Sequence, residues 1–238
     1  RYTFAQRDTP PRMDSVLVIG GTRFIGRHAV REFLDHGYEV TLFNRGNHEN
    51  PFADDDRVSR VEGDRTVDSA LERARTEVDP DVVVDCVAYY PKDVRAATQV
   101  FDDCEAYVYI SSGAAYGVEE APKREDDTPL HDCTPEQAVD DSAETYGPRK
   151  AEADRAVFAA ADRGVRAMAV RPPIVFGPHD YTRRFDFWVD RVKTADRLLV
   201  PYSELRHLVY VKDVASALRV VAEEGEAGEA YNVGTHTL

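Results

Sequence analysis

Short, unbroken apolar runs alternate with amphipathic stretches along most of this chain, and few architectures accept that pattern. A strand that is apolar at every position must be covered on both faces, as in a parallel sheet between helices. Stretches with apolar residues three or four positions apart supply the covering helices. Reading forward, the pattern predicts a strand at Ser15 to Gly20, a helix at Phe24 to His36, a strand at Tyr38 to Phe43 and a short strand at Arg57 to Glu62. The first helix carries Phe24, Ile25, Ala29, Val30, Phe33 and Leu34 on one face. An amphipathic segment from Val67 to Glu77, an apolar strand from Asp81 to Ala88, a helix near Lys92 to Asp103 and a strand from Ala106 to Ser112 follow. An acidic loop from Glu119 to Ser142 then precedes a helix at Tyr146 to Arg163, which passes through Gly164 to a strand at Val165 to Arg171.

Beyond Pro172 the periodicity loosens: Phe176 to Tyr181 reads as turn, Asp186 to Thr194 as helix, Leu208 to Val211 as extended chain and Asp213 to Glu223 as helix. The expected fold class is α/β, a Rossmann-type doubly wound parallel sheet over residues 13–171. A small C-terminal substrate lobe over 172–238 interleaves with the last sheet strands. Residues 1–12, ahead of Met13, read as an N-terminal extension. Because a strand begins at Tyr231 just before the last residue, the lobe is expected to be incomplete.

Composition narrows the function classes. A length of 238 residues with 42% hydrophobic content can bury one sizeable core. No run of about eighteen uncharged apolar residues occurs, and the first twelve lack the apolar stretch of a secretory signal, so a cytoplasmic protein without membrane association is expected. Cys86, Cys104 and Cys133 are odd in number and lack C-x-x-C spacing, which points to reduced thiols. The histidines show no metal-ligand spacing, and no metal is predicted. A net charge of −14 argues against nucleic acid as a partner. Aspartate outnumbers glutamate, and lysine is confined to Lys92, Lys123, Lys150, Lys193 and Lys212. That bias is similar to proteins of salt-loving organisms.

Two motifs carry chemistry. The first is GGTRFIG, Gly20 to Gly26, between the first strand and the first helix. A helix N-terminus presents unpaired N–H groups and a positive dipole end, so a pyrophosphate fits there when glycines permit close approach. The second is YISSGAAYG, Tyr109 to Gly117, followed by YGPRK, Tyr146 to Lys150. If Tyr146 opens the helix, Lys150 lies one turn later on the same face, and Pro148 is tolerated in the first turn. A phenol with a pKa near 10 is a poor base at neutral pH until a nearby cation stabilises its phenolate. Lys150 would supply that cation, and a serine hydroxyl would orient the same substrate oxygen during general acid–base catalysis.

With these motifs the chain resembles the extended short-chain dehydrogenase/reductase family, also called the NAD-dependent epimerase/dehydratase family. RPPIVFGP from Arg171, RHLVYVKDVASAL from Arg206 and YNVG from Tyr231 continue the likeness, which spans about Val16 to Gly234. The resemblance implies Ser112, Tyr146 and Lys150 as the catalytic set, with Ser111 a structural neighbour. It implies cofactor contacts from Gly20, Thr22, Arg23, Phe24, Ile25 and Gly26 in the turn, from Asn44, Arg45, Asp64, Arg65 and Ala88, from Tyr146 and Lys150 themselves, and from Pro172, Ile174 and Val175 bordering the nicotinamide. The turn departs from the family's G-x-x-G-x-x-G because Arg23 replaces the middle glycine; its guanidinium is expected to contact the phosphates. Where NAD-preferring members carry an acidic residue after the second strand, this chain has Asn44 and Arg45, so NADP is expected in preference to NAD. Arg206 corresponds to an arginine that contacts the substrate diphosphate in nucleotide-sugar epimerases, whereas Asp213 reads as a helix N-cap. Gly113 and Ala114 stand where 4,6-dehydratases carry an acidic pair, which argues against that reaction. The implied function is an NAD(P)-dependent epimerase or oxidoreductase acting on a nucleotide sugar or a related hydroxyl or carbonyl compound, and a homodimer is compatible with the resemblance. The alternative is a non-catalytic dinucleotide-binding, regulatory or RNA-associated member, since GGTRFIG also looks like the turn of a chloroplast branch associated with RNA.

Overall fold

A computed structural model describes residues 13–119, 121–199 and 207–234. Seven parallel strands form the central sheet: β1 (Ser15–Ile19), β2 (Glu39–Asn44), β3 (Val58–Glu62), β4 (Val82–Asp85), β5 (Ala106–Ile110), β6 (Ala167–Arg171) and β9 (Ala230–Asn232). Their spatial order is β3-β2-β1-β4-β5-β6-β9. That is a doubly wound Rossmann sheet, as the apolar pattern predicts, and the order reverses between β1 and β4.

The unbroken apolar runs follow from the two-residue period of a strand covered on both faces. Val16 and Val18 of β1 join one core with Ala29, Val30 and Phe33 of helix α1 (Phe24–Asp35) and Val214 and Leu218 of helix α6 (Val211–Glu224). Leu17 and Ile19 point the other way, into a core with α2 (Asp68–Val78), α3 (Pro91–Val100) and α4 (Tyr146–Ala161).

Most boundaries shift by a few residues from the sequence reading, and those of β4 and α6 have a visible cause. Strand β4 ends at Asp85 rather than Ala88, because the Asp85 carboxylate accepts the Val87 N–H at 3.1 Å and turns the chain out of the sheet. The extended segment at Leu208 stops at Tyr210, and α6 begins directly at Val211. Tyr210 is therefore the N-cap of α6, and Asp213 sits in its first turn without capping it. Its carboxylate still complements the positive helix end.

After β6 the chain forms β7 (Ile174–Phe176), which pairs in parallel with β8 (Leu208–Tyr210) outside the main sheet, while β9 returns to pair with β6. Between β7 and β8, helix α5 (Asp186–Thr194) buries no residue and leaves Phe187, Trp188 and Val192 exposed. Among the described residues no helix is long and apolar enough to cross a membrane. Nor do three His, Cys, Asp or Glu side chains converge as around a metal ion. Residues 1–12 and Arg206 lie outside the described residues.

Candidate active site

Two turns, one after β1 and one after β5, lie at the C-terminal end of the parallel sheet, the first of them where the strand order reverses. The Gly20 N–H donates to Phe43 O at 2.9 Å, and the chain then takes positive φ at Gly20 (+109°) and Gly21 (+88°). A Cβ at Gly21 would stand 2.6 Å from Leu42 Cδ2, and one at Gly26 would stand 2.7 Å from Gly21 N. Glycine is thus required for the handedness of the turn and for the seating of α1 against it. Gly21→Ala is expected to cost about 1–3 kcal/mol, from left-handed strain plus overpacking, read as a lower urea midpoint.

Arg23 replaces the middle glycine in an extended conformation, φ −129° and ψ 150°. The next residue, Phe24, takes φ +33°, a conformation that side chains rarely adopt, and buries its ring in the core. Expected to reach toward phosphates, the Arg23 guanidinium instead lies 3.6 Å from the centre of the Tyr181 ring, with one nitrogen 3.4 Å from His48 Nε2. A planar cation stacks well on an aromatic face, and the strand-like backbone at residue 23 aims the side chain outward. Thr22 and Ile25 are half-buried beside it.

At the end of β2, Asn44 Oδ1 accepts the Gly46 N–H at 2.9 Å, while its Nδ2 is buried and finds no acceptor among the described residues. Arg45 is exposed beside it. Asp64 accepts from the Thr66 N–H and hydroxyl at 2.9 and 2.8 Å, and these bonds hold its carboxyl below the usual range. Arg65, expected among the cofactor contacts, turns its guanidinium into the protein, pairing with Asp85 and, at 3.3 Å, with Asp93. Two buried carboxylates hold that charge inside the protein.

The second turn follows β5. Ser112 caps a short 3₁₀ turn at Gly113–Ala115, its Oγ accepting the Ala114 N–H at 3.2 Å, and its side chain faces the Tyr146 phenol. Ser111 is buried and faces Asp154 instead. Tyr146 opens α4 and is half-buried; Lys150, one turn on, brings its ammonium to 5.9 Å from the Tyr146 ring centre. That ammonium donates to Ile110 O at 2.8 Å and Ala88 O at 3.1 Å, so the carbonyl of Ala88 holds the lysine. Burial lowers the Lys150 pKa to about 8, against the opposing pull of Asp154 and Asp85. Burial also raises the Tyr146 pKa, while the Ser112 hydrogen bond and the Arg184 and Arg149 charges work against that rise.

Those two arginines carry no mark in the sequence. Arg149 shares the YGPRK run, but its burial against Tyr89 O (3.2 Å) and Ser142 O (3.1 Å) is a tertiary fact. Arg184 follows β7 in a segment with no legible periodicity. Pro172 is buried and accepts the Gly113 N–H at 2.8 Å, and Val175 packs in the core with Val209, while Ile174 is only partly covered. The site floor is braced by a buried Arg171–Asp154 pair at 2.8 Å, with Arg171 also donating to Tyr116 Oη at 2.9 Å.

A family model described as the NAD dependent epimerase/dehydratase family matches residues 16–234. Chloroplast stem-loop binding protein of 41 kDa b from Arabidopsis thaliana is 28% identical over 232 residues, an alignment covering 92% of this chain and 58% of that protein. The present chain thus spans little more than half of that relative. Low-salt glycan biosynthesis protein Agl12 from Haloferax volcanii is 28% identical over 258 residues, covering 92% of this chain and 76% of that one. The fold is similar to that of dTDP-glucose 4,6-dehydratase from Bacillus anthracis in complex with NAD, with a TM-score of 0.77 at 22% identity, covering 94% and 76% of the two chains.

Proposed function

Since the chain belongs to the NAD dependent epimerase/dehydratase family, we propose that it is a nicotinamide dinucleotide-dependent epimerase or oxidoreductase of a nucleotide sugar or related hydroxyl or carbonyl compound. The observation that carries this reading is the convergence of a serine, a phenol and an ammonium from two elements beside the glycine turn. The turn fits a dinucleotide: tight glycines lead straight into the N-terminus of α1, whose backbone N–H groups suit a pyrophosphate, and Asn44 Nδ2 is a buried donor without an acceptor among the described residues. Asn44 with exposed Arg45 favours a 2′-phosphate over a free ribose hydroxyl, hence NADP over NAD.

The nicotinamide, when bound, donates or accepts the hydride. Tyr146 then holds or releases the proton of the substrate oxygen, Ser112 orients that oxygen, and Arg184 and Arg149 offset the charge of the phenolate, with the Lys150 ammonium 5.9 Å from its ring centre adding to them. Gly113 and Ala114, which follow Ser112, offer no carboxylate to remove or protonate a leaving hydroxyl, which favours reduction or epimerisation over 4,6-dehydration.

Lys150 sets a pH dependence. Below its pKa of about 8 the ammonium is present; above it the charge that supports Tyr146 is lost. For carbonyl reduction kcat/KM is therefore expected to fall as pH rises through about 8, since this parameter reports free-enzyme ionisations. A rate constant that stays level from about pH 7 to about pH 9.5 would remove Lys150 from that role.

Mass spectrometry of the native protein for co-purifying NAD, NADP or sugar nucleotide tests the overall reading. A second reading, a non-catalytic RNA-binding member, is favoured by the similarity to the chloroplast stem-loop binding protein. The net charge of −14 and the retained Ser112, Tyr146 and Lys150 weigh against it. A salt-dependent RNA gel shift with no dinucleotide binding would reverse the order.

A further inference from the structure

Between β7 and α5 the chain runs as a strap, Gly177 to Arg184, across the same end of the sheet as the glycine turn. It is tied down at several points. His28 Nε2 of α1 lies 3.0 Å from Pro178 O, Arg23 stacks on Tyr181 at 3.6 Å, and the Tyr89 phenol faces that of Tyr181. Arg23 leaves the turn after β1 and Tyr89 the turn after β4, so Tyr181 joins the two walls of the crevice at which the strand order reverses. A dinucleotide in such a sheet lies in that crevice.

Tyr181 is not held there by core packing, since it is 54% exposed. The strap carries two non-glycine residues at positive φ, His179 (+67°) and Arg183 (+50°), and Phe24 beside Arg23 is a third (+33°). Backbone strain of this kind persists where surrounding contacts impose it and clusters at ligand clamps. A glycine at position 23 would have no side chain to reach Tyr181. The arginine that breaks the family pattern is the group that makes the contact.

We propose that Tyr181 is a positioning residue that closes the cofactor crevice, and that its stack on Arg23 sets how slowly the dinucleotide leaves. This rests on the dinucleotide reading above. The pair acts as one latch: loss of either side chain frees the strap to the same extent, and loss of both adds nothing further.

Dissociation of NADPH and of NADH from the purified protein, followed by stopped-flow fluorescence with excess oxidised dinucleotide as the chase, tests this without turnover. Arg23→Ala and Tyr181→Ala are each expected to speed release roughly threefold to thirtyfold, the range of a partly desolvated cation–π contact. The double variant should match the single ones, whereas Tyr181→Phe, which keeps the stack, should stay nearest the wild type. Thermal midpoints within a few degrees of wild type exclude a folding defect in these exposed positions. Release rates that multiply in the double variant, or that remain unchanged in either single variant, overturn the latch while leaving dinucleotide binding intact. An effect of Arg23→Ala alone would restore direct phosphate contact in its place. If the wild type binds neither dinucleotide, the functional reading fails and the latch fails with it.

Discussion

Tyr146→Phe should lower turnover by roughly 10²- to 10⁴-fold, the range of a positioned general acid–base, with dinucleotide affinity held within about twofold. The substitution removes one oxygen and keeps the half-buried ring that opens α4, so the helix, Lys150 and the Ala88 and Ile110 carbonyls that hold it have no reason to move. What is lost is the proton carrier. Without it the substrate oxygen must exchange its proton with water, although Ser112 can still orient that oxygen. Ser112→Ala is the milder lesion, because Tyr146 keeps Arg149 and Arg184 nearby to support its charge. Steady-state kinetics of both variants, beside fluorescence titration with NADPH, separate the roles. A wild-type kcat in the Tyr146→Phe variant would remove the phenol from the chemistry altogether.

How much of this is readable beforehand depends on the range over which each residue acts. Strands, helices and the glycine turn are local patterns, and the Tyr146–Lys150 spacing is fixed by helix geometry alone. Those are the parts that can be placed from sequence. The site's electrostatics cannot: Arg149 and Arg184 are two of thirty basic residues until folding puts both near Tyr146. The direction of Arg23 escapes the sequence for a similar reason, since Tyr181, its stacking partner, lies far along the chain in a segment without periodicity. Arg65 enters the expected cofactor set through its place next to Asp64. Its partners are Asp85 and Asp93, in elements that reach it only once the sheet is assembled. Asp213 shows the smaller form of the error. The residue type suits an N-cap, but the strand ahead of α6 feeds straight into the helix, and the cap falls on Tyr210.

Arg65→Met should cost about 3–5 kcal/mol, because it removes one partner of a buried ionic cluster and leaves the others in place. Asp85 is fully buried and Asp93 nearly so, and both lean on this guanidinium. Burial works against the Arg65 charge, yet Asp85, Tyr107 and Asp93 outweigh it and push its pKa up. Methionine keeps an unbranched apolar stem but is shorter and offers no charge, so among the described residues two carboxylates remain with only the Tyr107 hydroxyl (3.0 Å) and the Val87 N–H (3.1 Å) on one, and the Tyr89 and Tyr90 N–H groups (3.2 and 3.1 Å) on the other. The loss is a large fraction of a typical domain's stability of about 5–15 kcal/mol, and it should appear as a fall in the urea midpoint. Adding Asp85→Asn and Asp93→Asn should recover part of the deficit by removing the stranded charges. No recovery would mean that the cluster stabilises by shape and not by charge. The site would respond as well. Asp93 holds the backbone at Tyr89, and Tyr89 in turn touches both Arg149 and Tyr181. A weakened cluster should therefore loosen the β4–α3 loop first, and dinucleotide release should quicken at urea concentrations where the fold is still intact.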